Sequence, residues 1–398
     1  MSNLNLKPSD IDYLFSPEAI RDSARKMYEH VNSGAGHFKI HSEKLNGTVQ
    51  YVLDVIHKKY PDLNIPFHSR WGHFRVGNTD RTQQLLQLSD KLEMARTKLD
   101  LVITSVLLDA GAGAKWSYFE KSTAQKLSRS EGLGVASFYL FMAGRMSSDK
   151  KSMTADAAGL KTLSESDINE FFQVSENNPL LGVAGRLQLL NNLSSALENK
   201  IIFKNNRPGN ILDYLMEKCG AVIPATQILR AVLDGLGPIW PGRLASGNVN
   251  LGDVWQHQKT DSLVAFHKLS QWMTYSLIEP IEEAGLTVTG VEKLTGLAEY
   301  RNGGLLIDSG LISVKDLSDL TKVHAPDSDF IIEWRALTIY FLDIIGEYVQ
   351  KALGKSAAEF PLAKVLEGGT WWAGRYLAQQ KRASGDPPIQ IKSEGTDF

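Results

Sequence analysis

Apolar side chains recur at helical spacing through most of this sequence, and that pattern constrains the fold more than any other feature. Within residues 328–353, for example, Phe341 and Ile345 fall on one face of a helix. The alternation of apolar and polar residues that marks a half-buried strand is scarce, and 200–203 and 388–391 are the candidates for short strands. The pattern therefore predicts a mainly α-helical protein with few short strands.

Glycine, proline and short polar stretches separate the helical segments. Ser16 and Pro17 are placed as the N-cap and first residue of one helix, which the run 34–36 ends. Further helices are predicted at 48–60, 82–108, 131–146, 166–172, 183–198, 211–218, 225–236, 262–283, 328–353 and 370–381. The polar stretch 147–162 is the best candidate for a boundary between two domains. We therefore predict an N-terminal helical part at 1–150 and a C-terminal part at 151–398 that carries the site, with one inseparable domain as the alternative.

Composition argues against several classes of protein. The 398 residues carry a net charge of −2 with acids and bases interspersed, so the basic stripe that nucleic-acid binding requires is missing. No apolar run reaches the roughly 18 residues of a membrane span. The single cysteine, Cys219, cannot form an internal disulfide, and residues 1–12 lack the features of a signal peptide. We expect a soluble, cytoplasmic protein that binds neither nucleic acid nor membrane; a homo-oligomer is compatible with the sequence.

The common nucleotide, metal and nucleophile motifs are absent from the sequence. It contains no G-x-G-x-x-G after a strand, no G-x-x-x-x-G-K-[ST], no H-E-x-x-H and no G-x-S-x-G. His68 and His73 come nearest to a metal pair, but two histidines on a loop are weak evidence. We therefore expect neither a metal ion nor an organic cofactor.

Five segments that combine aromatic and charged residues interrupt the helical pattern. For each one alone, core packing with a charged surface neighbour is a sufficient explanation. Aromatic walls with a few convergent polar groups are, however, what a small-molecule pocket needs, and five such segments together favour a site. They are 66–73, 129–132, 237–243 with 252–257, 266–272, and 298–304.

Single charges within and near these segments allow both structural and functional interpretations. Lys268 lies among apolar residues, where its charge needs a partner unless the side chain reaches solvent. Glu299 either forms a structural ion pair with Arg301 or points at a reacting centre. Arg335 is a candidate for binding an anion such as phosphate, because its planar guanidinium suits such groups.

Long blocks of the sequence resemble the uracil-catabolism proteins of fungi and bacteria, a family long described as a domain of unknown function. The blocks span most of the chain, and one small departure is Gly72, where a larger residue is expected. They are Phe-His-Ser-Arg-Trp (67–71), Leu-Leu-Asp-Ala-Gly-Ala-Gly (107–113), Arg-Ser-Glu-Gly-Leu (129–133), Leu-Asp-Gly-Leu-Gly-Pro-Ile-Trp-Pro-Gly-Arg-Leu (233–244), Leu-Gly-Asp-Val-Trp (251–255), Phe-His-Lys-Leu-Ser-Gln-Trp (266–272), Leu-Thr-Gly-Leu-Ala-Glu-Tyr-Arg-Asn-Gly-Gly (294–304), Glu-Trp-Arg-Ala-Leu (333–337) and Leu-Glu-Gly-Gly-Thr-Trp (366–371).

A second resemblance covers part of the C-terminal half. Lys268, the Ala-Glu-Tyr-Arg block at 298–301 and the Glu-Trp-Arg block at 333–335 follow the order and approximate spacing seen in queuosine 5′-phosphate N-glycosylases. Those are helical proteins related in fold to DNA glycosylases, and Glu299 stands where they have an aspartate. This resemblance implies a DNA-glycosylase-like, queuosine-salvage-like helical architecture.

Taken together, the two resemblances imply a hydrolase of uracil catabolism. In that pathway uracil is converted to its nucleotide, the ring is opened and urea is released, so an N-ribosyl bond must be cut. The implied reaction is N-glycosidic cleavage of a phosphoribosylated urea or ureide to urea and ribose 5-phosphate. The implied catalytic residues are Glu299, Lys268 and, as a reserve carboxylate, Asp253. The implied substrate and phosphate residues are Arg301, Arg335, His267, Tyr300, Trp255, Trp272, Arg70 and Arg129.

Two alternatives stay open at this point. An amidohydrolase would cut the ureide C–N bond instead, although such enzymes usually show a metal cluster or a nucleophile motif. A non-catalytic scaffold for the pathway enzymes would not need polar groups converging in a pocket.

Overall fold

The protein is mainly helical. The computed structural model describes residues 2–85, 90–109, 111–113, 115–150, 153–240 and 243–392. Helices account for 56% of it, against about a third in an average globular domain, so the prediction of a mainly α protein with few short strands is confirmed. Within the described ranges no helix is both long and apolar enough to cross a membrane.

The helices begin and end close to the signals in the sequence. Ser16 accepts the Ala19 N–H at 3.2 Å and caps the second helix, in which Pro17 is the first residue, as predicted. The helices are α1 Pro8–Leu14, α2 Pro17–Asn32, α3 Leu45–Lys59, α4 Trp71–Phe74, α5 Lys91–Leu107, α6 Arg129–Met142, α7 Ala157–Lys161, α8 Glu165–Phe171, α9 Val183–Ala196, α10 Ile211–Cys219, α11 Ala225–Leu236, α12 Lys268–Glu283, α13 Tyr300–Asp308, α14 Asp329–Leu353, α15 Leu362–Val365 and α16 Trp371–Lys381. A π-helical turn, Leu366–Thr370, joins the last two.

The strands are short, and each pairs with one or two others. They are β1 Ser2–Leu4, β2 Phe38–Ile40, β3 Tyr118–Glu120, β4 Gln125–Leu127, β5 Val222–Pro224, β6 Leu244–Ser246, β7 Val249–Asn250, β8 Val254–His257, β9 Ser262–Ala265, β10 Thr287–Thr289, β11 Ile312–Val314, β12 Val323–His324 and β13 Gln390–Ile391. Strand β6 pairs parallel with β1 and antiparallel with β7. The remaining pairs are β2 with β11, β3 with β4 and β8 with β9, all antiparallel, and β5 with β10 and β12 with β13, both parallel.

Two local predictions were wrong. The helix predicted at 262–283 begins only at Lys268, because Ser262–Ala265 forms a β-hairpin with Val254–His257 and His267 has a positive φ of 47°. The strand predicted at 200–203 is a turn, in which the N–H groups of Ile202 and Phe203 bond locally to the Asn199 carbonyl. Residues 86–89 of the predicted helix 82–108, and residues 393–398 of the predicted C-terminal part, lie outside the described residues.

The described chain divides into two compact units, each assembled from separate segments. The first unit contains Met1–His68, Gly242–Gln271 and Gly290–Lys392. Its core includes Val52, Ile56, Leu305, Leu337 and Ile345, contributed by α3, α13 and α14.

Two glycines in the first unit allow its helices to approach closely. A Cβ on Gly303 would lie 2.7 Å from the Trp334 ring, and one on Gly374 would lie 2.1 Å from the Arg301 carbonyl oxygen. These close contacts hold α13 against α14 and α16, and α13 carries the candidate site at its N-terminus.

The second unit contains Ser69–Pro241 and Trp272–Thr289. Helix α6 packs against α4, α5 and α8 within it. A buried ion pair between Arg81 and Glu120 fixes the end of β3, next to the turn of the β3–β4 hairpin. The boundary predicted at residue 150 falls inside this unit.

Candidate functional site

Glu299 is a buried carboxylate that caps the N-terminus of α13. One carboxylate oxygen accepts the Arg301 N–H at 2.7 Å, and the other accepts the Asn302 N–H at 2.6 Å. Only 8% of the residue is exposed. A carboxylate can accept about four hydrogen bonds, so the cap fixes its orientation and leaves acceptor capacity on both oxygens.

The electrostatic surroundings of Glu299 hold its pKa above the ordinary value. Burial raises the pKa, and the two backbone N–H groups together with the charges of Lys268 and His68 only partly offset that effect. His68 is in turn oriented by Glu367, whose carboxylate lies 2.7 Å from its Nδ1. Two basic side chains are therefore close enough to Glu299 to act on its charge.

Asp253 and Arg335 form a bidentate ion pair. The two terminal nitrogens of Arg335 donate to the two Asp253 oxygens at 2.8 and 2.7 Å, and the guanidinium lies 4.0 Å above the Phe266 ring. The same carboxylate accepts the Trp255 indole N–H at 2.6 Å and the Lys268 backbone N–H at 3.0 Å. Asp253 thus fixes the first residue of α12, where Lys268 lies, and four donors occupy its lone pairs.

The Asp253 carboxylate is ionised as a result. Burial alone would raise its pKa, but the charge and hydrogen bonds of Arg335 keep the pKa below the ordinary value. This is the opposite of the balance at Glu299, where the effect of burial on the pKa exceeds that of the backbone N–H groups and of the charges of Lys268 and His68.

His267 and Gln271 are buried polar residues at the start of α12. Nε2 of His267 lies 2.9 Å from the Leu14 carbonyl oxygen. Because a carbonyl oxygen only accepts, Nε2 carries the proton and Nδ1 is an acceptor. Burial lowers the pKa of His267 and keeps it neutral. Neither His267 Nδ1 nor either amide atom of Gln271 has a hydrogen-bond partner within the described residues. Gln271 lies one turn after Lys268 and is wholly buried.

The chain matches, over residues 13–398, the family described as "Protein of unknown function (DUF1688)". It belongs to this family. Uracil catabolism protein 4 of Lachancea kluyveri is 37% identical over 438 aligned positions, which cover 98% of this chain and 99% of that protein. Protein urg3 of Schizosaccharomyces pombe is also 37% identical, over 402 positions that cover 97% and 98%. The family resemblance drawn from the sequence blocks is confirmed.

The remaining predicted site residues of this family member have contacts of their own. In the first unit, an Arg301 terminal nitrogen donates to the Gly385 carbonyl at 2.8 Å and its guanidinium lies 5.1 Å from the half-buried Tyr300 ring. In the second unit, Arg70 is buried and donates to Ser105 Oγ at 2.7 Å and to Asp109 at 2.6 Å.

Trp272 and Arg129 also lie in the second unit. The Trp272 ring is 5.8 Å from the Arg70 guanidinium. Arg129 is the first residue of α6 and has a positive φ of 54°. The structure thus brings Glu299, Lys268, Asp253, Arg335, His267 and Trp255 into one compact unit.

Several polar residues near this site were not singled out from the sequence. Gln271 and Asn302 look like ordinary helix residues, and only burial with an amide atom that lacks a partner among the described residues distinguishes them. A second cluster, formed by His30, His257 and Glu333, brings three potential metal ligands together. Its members are far apart in the sequence, so no spacing motif could have revealed it.

Proposed function

We propose that this protein acts in uracil catabolism as an N-glycosidase that hydrolyses a phosphoribosylated urea or ureide. The names of its relatives, Uracil catabolism protein 4 above all, support the pathway. The observation that carries the reaction is Glu299, a buried carboxylate held in a fixed orientation with lone pairs left for another partner.

The reaction breaks the bond between the anomeric carbon and nitrogen. As the nitrogen leaves, positive charge develops on the sugar, and water adds its oxygen to that carbon. One proton of the water goes to the departing urea nitrogen, and the other stays on the new anomeric hydroxyl. A carboxylate in a desolvated site stabilises such charge or accepts a proton from the attacking water. Glu299 fits this role because the backbone N–H groups that keep it oriented carry no net charge.

Lys268 and the Asp253–Arg335 pair support that centre. The charge of Lys268 counteracts the effect of burial on Glu299 and keeps a larger fraction of the carboxylate ionised. Asp253 accepts the Lys268 backbone N–H, so the ion pair with Arg335 sets where α12 begins. In this proposal Asp253 positions Lys268, while Glu299 acts on the substrate.

Binding of the substrate falls to other polar groups. Arg301 is a candidate for the phosphate, since guanidinium groups bind phosphate oxygens strongly. The carboxamide of Gln271 offers a donor and an acceptor in one plane, which complements the N–H and C=O groups of a ureide. Trp255 and Tyr300 provide aromatic surface for the pocket wall.

The direct test incubates the purified chain with N-(5-phosphoribosyl)urea and measures urea and ribose 5-phosphate together. We expect the two products in equal amounts. Release of ammonia without urea would support the amidohydrolase alternative. Absence of any product, with the protein folded and the substrate intact, would contradict the proposal and favour the scaffold alternative.

A further inference from the structure

Three side chains from three elements of the first unit converge on one buried point. His30 comes from α2, His257 from the end of β8 and Glu333 from α14. One imidazole nitrogen from each histidine and one Glu333 oxygen lie within 4.8 Å of one another. His257 and Glu333 are wholly buried, and none of the three belongs to the proposed reaction.

The distances within this cluster suit a shared cation better than direct hydrogen bonds. Nε2 of His257 and of His30 lie 3.3 and 3.7 Å from the same Glu333 oxygen. Hydrogen bonds of this kind usually measure about 2.7–3.2 Å. Metal–ligand bonds of about 2.0–2.1 Å in a tetrahedron place neighbouring ligand atoms roughly 3.3–3.4 Å apart.

The outer contacts of the ligands fit a metal site as well. Nδ1 of His257 lies 2.8 Å from the Thr260 hydroxyl, which can accept its proton and leave the Nε2 lone pair facing the cluster. The carboxylate of Glu333 is oriented by His37. The His37 backbone N–H donates to Glu333 Oε2 at 2.6 Å, and His37 Nδ1 lies 3.0 Å from Glu333 Oε1.

The surroundings of His30 support a bound metal ion independently of the distances within the cluster. Its Nε2 atom is buried and has no hydrogen-bond partner within the described residues. A buried imidazole nitrogen without a partner costs free energy, and a metal ion would remove that cost.

We propose that His30, His257 and Glu333 bind one divalent transition-metal ion, with Zn²⁺ as the best match, and that the ion ties α2, β8 and α14 together. Two imidazoles and one carboxylate suit Zn²⁺, Co²⁺ or Fe²⁺ and are a poor set for Mg²⁺ or Ca²⁺, which prefer oxygen ligands. Three protein ligands leave a fourth position for water. Because Glu333 and Arg335 lie on the same helix, the ion stabilises the helix that carries the Asp253–Arg335 pair.

The competing arrangement needs no cation. In the other tautomer His257 donates from Nε2 to Glu333 and accepts the Thr260 backbone N–H at 3.3 Å. The two arrangements differ in whether the folded protein binds metal, and no substrate is needed to decide between them.

The test uses the full chain without an affinity tag, stripped with a chelator and titrated with ZnCl₂ in a calorimeter. We expect one Zn²⁺ per chain and no binding of MgCl₂. His30→Asn should weaken Zn²⁺ binding by at least about a hundredfold, the upper range for loss of supporting groups around a metal. His57→Asn is the matched control, because His57 is exposed on α3 and should leave binding unchanged.

Cobalt provides a second readout if His30→Asn does not fold. His30→Cys keeps a metal ligand, and Co²⁺ bound through a thiolate gives a sulfur-to-metal absorption band that the wild type lacks. A folded His30→Cys protein without that band would overturn the proposal. Wild type that binds no Zn²⁺, or that binds it no better than His30→Asn, would overturn it as well and leave the hydrogen-bonded arrangement. Neither result bears on N-glycosidase activity.

Discussion

Two buried glutamates, Glu120 of the second unit and Glu299 of the first, are held in opposite ways. In the second unit Glu120 is 2% exposed and accepts from Arg81 Nε at 2.7 Å and from a second Arg81 nitrogen. Thr123 and Tyr139 donate to it at 2.6 and 2.7 Å. Burial would raise the pKa of Glu120, but these donors, Arg81 first, lower it to about 2.

Glu299 in the first unit is 8% exposed and accepts from backbone N–H groups, and burial raises its pKa. A carboxylate saturated by a guanidinium has its charge neutralised and its lone pairs occupied, so it serves structure. A carboxylate held by a helix N-terminus keeps acceptor capacity, and its charge is available to a reacting centre. Burial alone therefore does not distinguish a structural carboxylate from one that suits the proposed reaction.

The largest expected effect is on stability at Glu120. Glu120→Gln removes the charge that compensates Arg81 and leaves a buried guanidinium unbalanced, which typically costs about 3–5 kcal/mol. Chemical denaturation should show that loss, while turnover per folded molecule stays near normal. Glu176→Gln, at an exposed glutamate, is the control and should change nothing. A Glu120→Gln protein as stable as wild type would contradict the claim that the Glu120 carboxylate stabilises the fold.

The next effect is on turnover at Glu299. Glu299→Gln keeps the shape but loses the charge, and its single amide oxygen can replace only one of the two oxygens that accept backbone N–H groups. We expect kcat to fall at least about a hundredfold with little change in KM. Thermal and chemical unfolding of the same variant should show a loss of at most about 2 kcal/mol, the cost of a weakened N-cap. A large loss of stability would instead identify Glu299 as a structural partner of Arg301, and near-normal urea release would exclude it from the reaction.

Glu120 and Glu299 should also lose their charges in different pH ranges. Glu120 has a lowered pKa, so its stabilising contribution is present above the ordinary value of 4.5 and is lost as the pH falls from there towards about 2. Glu299 has a raised pKa, so its charged form is lost already above 4.5. On acidification we therefore expect activity to fall before the Glu120 contribution to stability does. Activity and tryptophan fluorescence should be measured across the same pH series. Unfolding at a higher pH than the loss of activity would contradict this expectation.

The smallest effect is expected at Asp90, a carboxylate cap without a chemical role. Asp90 is exposed and accepts the N–H groups of Leu92 and Glu93 at 2.9 and 3.4 Å, the same backbone pattern as Glu299. Asparagine is an equally good cap, so Asp90→Asn should cost less than about 1 kcal/mol, from the lost interaction with the helix dipole. Turnover should not change. A fall in kcat comparable to that of Glu299→Gln would show that the assay reports helix capping rather than chemistry.

Sequence reasoning recovered the features that are encoded locally. The N-cap at Ser16, the long helix now bounded by Asp329–Leu353 and the helix Ala225–Leu236 follow from capping residues and apolar period, which depend on neighbours within a few positions. The sequence blocks that carry Lys268 and Glu299 were likewise enough to choose both residues as candidates. Their roles remain predictions that the activity measurements will decide.

What only the tertiary structure decided involves partners distant in the chain. Ser262–Ala265 is a strand because β8 supplies the other half of its ladder, and His267 then adopts a positive φ where the sequence predicted helix. Arg335, which the sequence analysis predicted to bind phosphate, forms an ion pair with Asp253. Glu333 lies close to His30 and His257. Local sequence sets the backbone preferences of a segment. The charge, hydrogen-bond partners and pKa of a buried side chain depend instead on which distant residues packing brings to it.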